Sequence, residues 1–138
     1  EDLESIVRQY QRDVSAIWTL NAVQVSCGFP LTSTATVTMT DETGCTVTEC
    51  DFGTGPIDAA YKTINKIVRV ESELSEFSVK AVTRGIDALG EVSVRVKAEN
   101  GEVFTGRGSD GDIIVSSTKA YINALNRLLA AGRARAAK

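Results

Sequence analysis

The stretch GTGPIDAAYKTINKIV, residues 53–68, places two glycines and a proline directly before an amphipathic segment, and GRGSDGDIIVSSTKAYINALNRLL, residues 106–129, has a similar order. Pro56 suits the first turn of a helix, where a missing N–H costs no hydrogen bond. The apolar face of the first helix comprises Ile57, Ala60, Tyr61, Ile64, Ile67 and Val68. Because INKIV at 64–68 also matches LNRLL at 125–129, we infer an internal duplication.

Three strands are predicted before the first helix. Trp18 to Gly28 forms the first, with a bulge near Ala22 where the apolar positions change face. After the Phe29-Pro30 break, threonines alternate with apolar residues over 34–40, which predicts a strand with a threonine-coated outer face. A third strand over 45–52 is expected to return antiparallel.

The second half repeats this order. A strand beginning at Phe77, another over 92–97 and a third over 103–105 are predicted, with Asn100-Gly101 as the turn between the last two. The glycines after the third strand then open a long helix, which is expected to stop at Gly132.

These elements predict an α+β fold of two pseudo-repeated βββα units, with antiparallel sheets covered by helices. The units are expected over 15–70 and 71–130, and a frayed basic tail over 131–138 follows them. An amphipathic helix with an acidic start is predicted over 1–14.

Composition limits the functional classes. A chain of 138 residues is expected to form one domain. Its net charge of -3 argues against nucleic acid as a partner. It has no apolar run of the roughly 20 residues that a membrane span needs, so no membrane partner is expected. Because histidine is absent, Ser/His catalysis and metal chemistry lose their usual residue, and no catalytic residue, metal site or cofactor is predicted.

The reactive side chains have plain interpretations. Cys27, Cys45 and Cys50 show no CxxC spacing, which predicts small buried thiols in a reducing compartment. The carboxylates of Asp51, Asp58, Asp87 and Asp112 are expected to be solvated or to lie at helix starts.

The repeated glycines leave two interpretations open. They allow a strand to turn tightly into a helix that covers the sheet. Alternatively, Gly53, Gly55, Gly106 and Gly108 form an anion site at each helix start, where free N–H groups favour a carboxylate or a phosphate. Neither stretch has the βαβ context of a dinucleotide-binding motif or the Lys-Ser/Thr of a phosphate-binding loop.

Three long segments, GTGPIDAAYKTI at 53–64, EFSVKAVTRGIDALGEVSVRV at 76–96 and the second helix stretch, occur in one order. In these segments the chain resembles the C-terminal regulatory domain of 2-isopropylmalate synthase, also called the LeuA dimerisation or allosteric domain. The resemblance runs from Trp18 to Leu129. A related domain occurs in citramalate synthase.

The resemblance implies a homodimeric module joined through a linker to a catalytic barrel of the same polypeptide. The helix over 1–14 would lie at the end of that linker subdomain. That barrel, with its divalent metal, would condense acetyl-CoA with 2-oxoisovalerate in the cytoplasm, or in an organelle of a plant. This chain would have no catalytic centre and would bind leucine for feedback inhibition. Two alternatives stay open: an isoleucine-sensing domain of a citramalate synthase, and a structural dimerisation module without a ligand.

The effector pocket implied by the resemblance combines a helix start, a strand with its hairpin, and the second helix. Its residues would be Ile57, Asp58, Leu74, Phe77, Ala81, Ala88, Gly90, Ile113 and Tyr121. Such a set suits leucine, whose carboxylate needs N–H donors and whose isobutyl group needs a dry pocket. The larger side chains could also be ordinary core residues, and Gly90 could simply bend the hairpin.

Overall fold

The fold consists of two consecutive βββα units, as the sequence predicts. The computed structural model describes residues 17–27, 32–84 and 87–136. The elements are β1 (Trp18–Ser26), β2 (Ser33–Asp41), β3 (Thr46–Gly53), α1 (Pro56–Val68), β4 (Ser72–Arg84), β5 (Asp87–Ala98), β6 (Val103–Asp110) and α2 (Ile113–Ala136). The predicted helix over 1–14, the end of the first strand at Gly28 and the Phe29-Pro30 break lie outside the described residues.

Each unit contains an antiparallel three-stranded sheet, with strand orders β1-β2-β3 and β4-β5-β6. The predicted bulge in β1 is confirmed, because the register with β2 shifts between Leu20 and Ala22. The bulge keeps Val23 and Val25 on the half-buried side with Leu20, while Ala22 is exposed.

Both units contribute to one hydrophobic core. The central strands supply fully buried side chains, such as Val37 of β2 and Val94 of β5, and the helices supply Ile64 and Leu125. Helix α1 packs on the first sheet, α2 packs on β5 and β6, and the two helices contact each other. The core therefore holds the two units together.

Four predicted boundaries were wrong by several residues. β4 begins at Ser72 rather than Phe77, β5 begins at Asp87 rather than residue 92, and β6 continues to Asp110 rather than ending at residue 105. Helix α2 passes through Gly132 to Ala136, because one glycine among alanines and arginines lowers helix stability by only about 1 kcal/mol. The extra turn lets Arg133 pair with Glu42 in the turn between β2 and β3.

The outer face of the first sheet carries the predicted threonines. Thr38 and Thr40 of β2 form hydrogen bonds with Thr48 and Thr46 of β3. The prediction of buried thiols was wrong, since Cys27, Cys45 and Cys50 are all exposed. Strand alternation explains Cys50, which lies on the outward-facing positions of β3, between Thr48 and Phe52.

Candidate functional site

The start of α1 is built on a tight connection from β3. A Cβ on Gly53 would lie 2.5 Å from Asp58 Oδ2 and 2.6 Å from the Ala59 nitrogen, so a side chain at residue 53 would clash. Gly55 is the N-cap residue in an extended conformation, and Pro56 occupies the predicted first position. Because proline has no N–H, the helix-end donors left without a partner among the described residues belong to Ile57 and Asp58.

The Asp58 carboxylate already has partners. Its Oδ2 accepts a hydrogen bond from the Thr54 backbone nitrogen at 3.0 Å and lies 3.3 Å from Lys62 Nζ. The Thr54 bond is the larger reason that the Asp58 pKa lies below its usual value, and Lys62 adds to the effect. The carboxylate is thus directed to its own helix start.

The start of α2 differs from the prediction. Gly106 and Gly108 lie inside β6, not at the helix opening, and a Cβ on them would approach the α2 backbone at 2.0 Å and 2.4 Å, respectively. These glycines let the strand pack closely against the helix. Asp112 caps α2 instead, since its Oδ1 accepts from the Ile114 nitrogen at 2.8 Å.

Two predicted effector residues, Leu74 and Phe77, form an uncovered apolar row on β4 together with Val79, which was not predicted as a site residue. Leu74, Phe77 and Val79 are 40%, 36% and 48% exposed, and they pair with the core residues Val96, Val94 and Val92 of β5. Paired residues lie on the same face of a sheet, so this row continues the buried face of β5 beyond the cover of α2. By backbone proximity, β4 adjoins β5 alone among the described elements.

The remaining predicted effector residues lie at the end of this row, further along its hairpin and at the start of α1. Ile113, at the start of α2, is 39% exposed, and its Cδ1 would lie 3.2 Å from a Cβ on Gly90. Gly90 pairs with Ala81 of β4 through the backbone, and Ala88 pairs with Thr83 further along the same hairpin. Ile57 packs against the core at the start of α1.

An aromatic group connects this face to the helices. The ring of Phe77 meets Tyr61 edge to face at 6.4 Å between centroids, and Tyr61 stacks on Tyr121 at 4.1 Å. The Tyr61 hydroxyl donates to the Ser117 carbonyl oxygen at 3.1 Å, and the Tyr121 hydroxyl donates to Asn65 Oδ1 at 2.5 Å. Each tyrosine therefore bonds the opposite helix.

Both phenols are held in the protonated form. Burial raises the pKa of Tyr61 and of Tyr121, because a phenolate would lose its hydration. Sequence reasoning placed Tyr61 only on the apolar face of its helix. The signal that could have found its role is a tyrosine on the buried face of each helix, since buried tyrosines usually require a hydrogen-bond partner.

Two grooves lie away from these residues. One, of about 580 Å³, lies between β1, β6 and α2, and the other, of about 500 Å³, lies beside the C-terminal half of α2. In the first groove, Asn123 and Asn126 of α2 are bonded to the edges of β6 and β1. We favour the β4 face as the site, because an effector can reach both units there through the aromatic group.

Some site types find no support in the described residues. No cluster of three or more Cys, Asp or Glu side chains in the described ranges is arranged to hold a metal ion. Neither described helix is long and apolar enough to cross a membrane.

Sequence comparisons identify the family. The model of the LeuA allosteric (dimerisation) domain matches residues 1–129. The chain belongs to this family. A LeuA dimerisation domain fits assembly as a homodimer, and an uncovered apolar strand face is the kind of surface that such assembly buries.

Curated relatives of this LeuA domain are longer enzymes. The chain is 56% identical over its full length to a 2-isopropylmalate synthase of Olsenella uli, of which it covers 27%. It is 47% identical over 93% of its length to the enzyme of a Synechococcus strain and 52% identical over 94% to that of a Synechocystis strain, covering 24% of each. The LeuA domain thus spans about a quarter of the length of these relatives.

Proposed function

We propose that this chain is the regulatory and dimerisation part of a 2-isopropylmalate synthase and that leucine binds it as a feedback effector. The observation that carries the proposal is the apolar row Leu74, Phe77 and Val79 on β4, exposed beside Gly90 and Ile113. Catalysis, with its divalent metal and its substrates acetyl-CoA and 2-oxoisovalerate, would belong to the rest of a longer cytoplasmic protein.

The apolar row supports pairing with a second copy. Because Leu74, Phe77 and Val79 are already partly buried, covering the rest of each side chain would stabilise an interface by roughly 1 kcal/mol per side chain. β4 is also the edge strand of its sheet, and long apolar edges are usually paired or covered. A twofold dimer would place the β4 rows of two protomers together.

The chemistry around this row supports an amino acid with an aliphatic side chain. Gly90 has no side chain, and the partly exposed Ile113 lies over it, so an isobutyl group could pack against Ile113 at the end of the apolar row. The N–H donors of Ile57 and Asp58 suit its carboxylate. Because the Asp58 carboxylate is already bonded to Thr54 and Lys62, backbone carbonyl oxygens are the expected partners of the ammonium group.

Regulation requires that leucine bind two arrangements of the dimer with different affinity, since equal affinity shifts no equilibrium. A site between two protomers meets this requirement, because its shape depends on how they pack. A coupling free energy of about 1–3 kcal/mol would change the behaviour of a catalytic domain several-fold or more.

Calorimetric titration with leucine, isoleucine and valine tests the ligand. We expect saturable heat with leucine, and about tenfold weaker binding in Ile113→Ala, because the variant removes part of the apolar contact. Val103→Ala is the matched control, since Val103 is also exposed but lies on β6 away from this row. A preference for isoleucine would favour a citramalate synthase regulator, and silence toward all three would leave only a dimerisation module.

A further inference from the structure

Tyr61 is one side chain through which β4 contacts the helices. The backbone of β4 adjoins only β5 among the described elements, yet the Phe77 ring packs edge to face on Tyr61 of α1. A shift of Phe77, which belongs to the apolar row, would therefore change its contact with the Tyr61 ring.

From Tyr61 the contacts continue into α2. Its ring stacks on Tyr121 with 16° between the planes, and its hydroxyl donates to the Ser117 carbonyl oxygen. Ser117 lies one turn beyond Ile113, and the Ser117 hydroxyl donates back to the Ile113 carbonyl oxygen at 2.7 Å. The contacts thus run from Phe77 through Tyr61 to the turn of α2 that carries Ile113.

We infer that Tyr61 is a positioning residue that couples effector binding on β4 to the packing of α1 against α2, an inference that rests on the proposed function. The two helices carry the core of both units, so a change in their packing reaches the whole domain. Close-packed interiors transmit such changes because they do not deform continuously.

The hydroxyl distinguishes this role from simple core filling. The ring alone would fill the space between Phe77 and Tyr121, whereas the hydroxyl fixes the ring to one backbone oxygen of α2. Helix geometry directs that oxygen to the Tyr121 amide as well, and a carbonyl oxygen can accept two hydrogen bonds. Removing only the hydroxyl should therefore loosen the coupling while the core stays filled.

The test compares Tyr61→Phe with the unchanged chain by analytical ultracentrifugation. The dimer dissociation constant is measured with and without saturating leucine, and the ratio of the two constants is the coupling. We expect a ratio of about 5- to 150-fold in the unchanged chain. In Tyr61→Phe the ratio should fall by about fivefold, as expected for one buried hydrogen bond.

Thr63→Val is the matched control. Thr63 is another buried hydroxyl of α1, but it bonds the Ala59 and Ala35 carbonyl oxygens, away from α2. General destabilisation of the fold changes the dimer dissociation constants with and without leucine by the same factor. Thr63→Val should therefore keep the full ratio. An unchanged ratio in Tyr61→Phe, or an equal loss in Thr63→Val, would overturn the role of Tyr61. If leucine leaves the unchanged chain unaffected, the proposed function fails first.

Discussion

The two units have the same order of elements, but their first strands differ in how far they are covered by the helices. β1 of the first unit lies against both helices, and its Trp18 and Leu20 pack on the core. β4 of the second unit leaves Phe77 and its neighbours exposed. A duplicated sequence has thus produced one closed sheet face and one open face, and the open face is where we propose that a partner and an effector bind.

A pair of matching asparagines shows how the difference arises. Asn126 of α2 accepts from the Trp18 nitrogen and donates to the Trp18 oxygen, both at 2.9 Å, and so holds the edge of β1. Asn65 occupies the same place in the INKIV and LNRLL match, but its oxygen accepts from Tyr121 instead. The same residue type secures a strand in one unit and a tyrosine in the other.

Gly106→Ala should produce the largest effect, because close strand-to-helix packing is what closes α2 over its sheet. The new Cβ would lie 2.0 Å from the Ala120 oxygen and 2.4 Å from the Ala124 nitrogen. Backbone atoms cannot rotate away, so we expect a loss of about 3 kcal/mol or more in the free energy of unfolding. Urea denaturation measures this loss.

Gly132→Ala is its control within the same helix. No atom lies within 4 Å of a Cβ at this position, and alanine favours the helix by up to about 1 kcal/mol. Equal stability of the two variants would contradict the packing role of Gly106.

Asn126→Ala tests how the closed strand is held. Two hydrogen bonds to Trp18 are lost together, so we expect about 2 kcal/mol less stability in the same denaturation experiment. Asn123→Ala removes a single exposed bond to the Arg107 oxygen and should cost less than half as much. If the two variants behave alike, Asn126 does not distinguish β1 from β4.

Asp58→Asn should have the smallest effect and sharpens the comparison of the helix starts. The Asp58 pKa is lowered in the folded chain, so its stabilisation is present above the ordinary value of 3.8 and disappears as pH falls through the folded value. Because the side chain is 42% exposed, we expect a loss below about 1 kcal/mol at neutral pH and a weaker acid dependence below about pH 4.

Lys62→Met separates the two causes of this shift. It removes the ion pair and leaves the larger contribution of the Thr54 bond. Thermal unfolding between pH 2 and pH 7 should therefore show that Lys62→Met keeps most of the acid dependence of stability that Asp58 contributes. If Lys62→Met loses that dependence completely, the effect belongs to the ion pair.

Local sequence rules predicted the elements well where side chains alternate regularly. The bulge near Ala22, the first position of Pro56 and the threonine face of β2 are confirmed. The start of β4 was missed because its register shifts between Leu74 and Glu76, which interrupts the period of two.

Tertiary packing decided the features that sequence rules missed. Glycine inside a strand resembles a turn until the helix that crosses it is known, so Gly106 and Gly108 were assigned to the wrong element. The resemblance brought Phe77, Gly90 and Ile113 to the candidate site. The role of Tyr61 depends on a stacking partner 60 residues away in the chain, which no local pattern reveals.

Amide hydrogen exchange with and without leucine tests the central claim most directly, at protein concentrations above and below the dimer dissociation constant. We expect slower exchange over residues 72–84 at the higher concentration, a further slowing with leucine, and little change over 18–26. Exchange over 72–84 that is independent of both concentration and leucine, with protection appearing on another face, would contradict the claim that β4 is the binding surface.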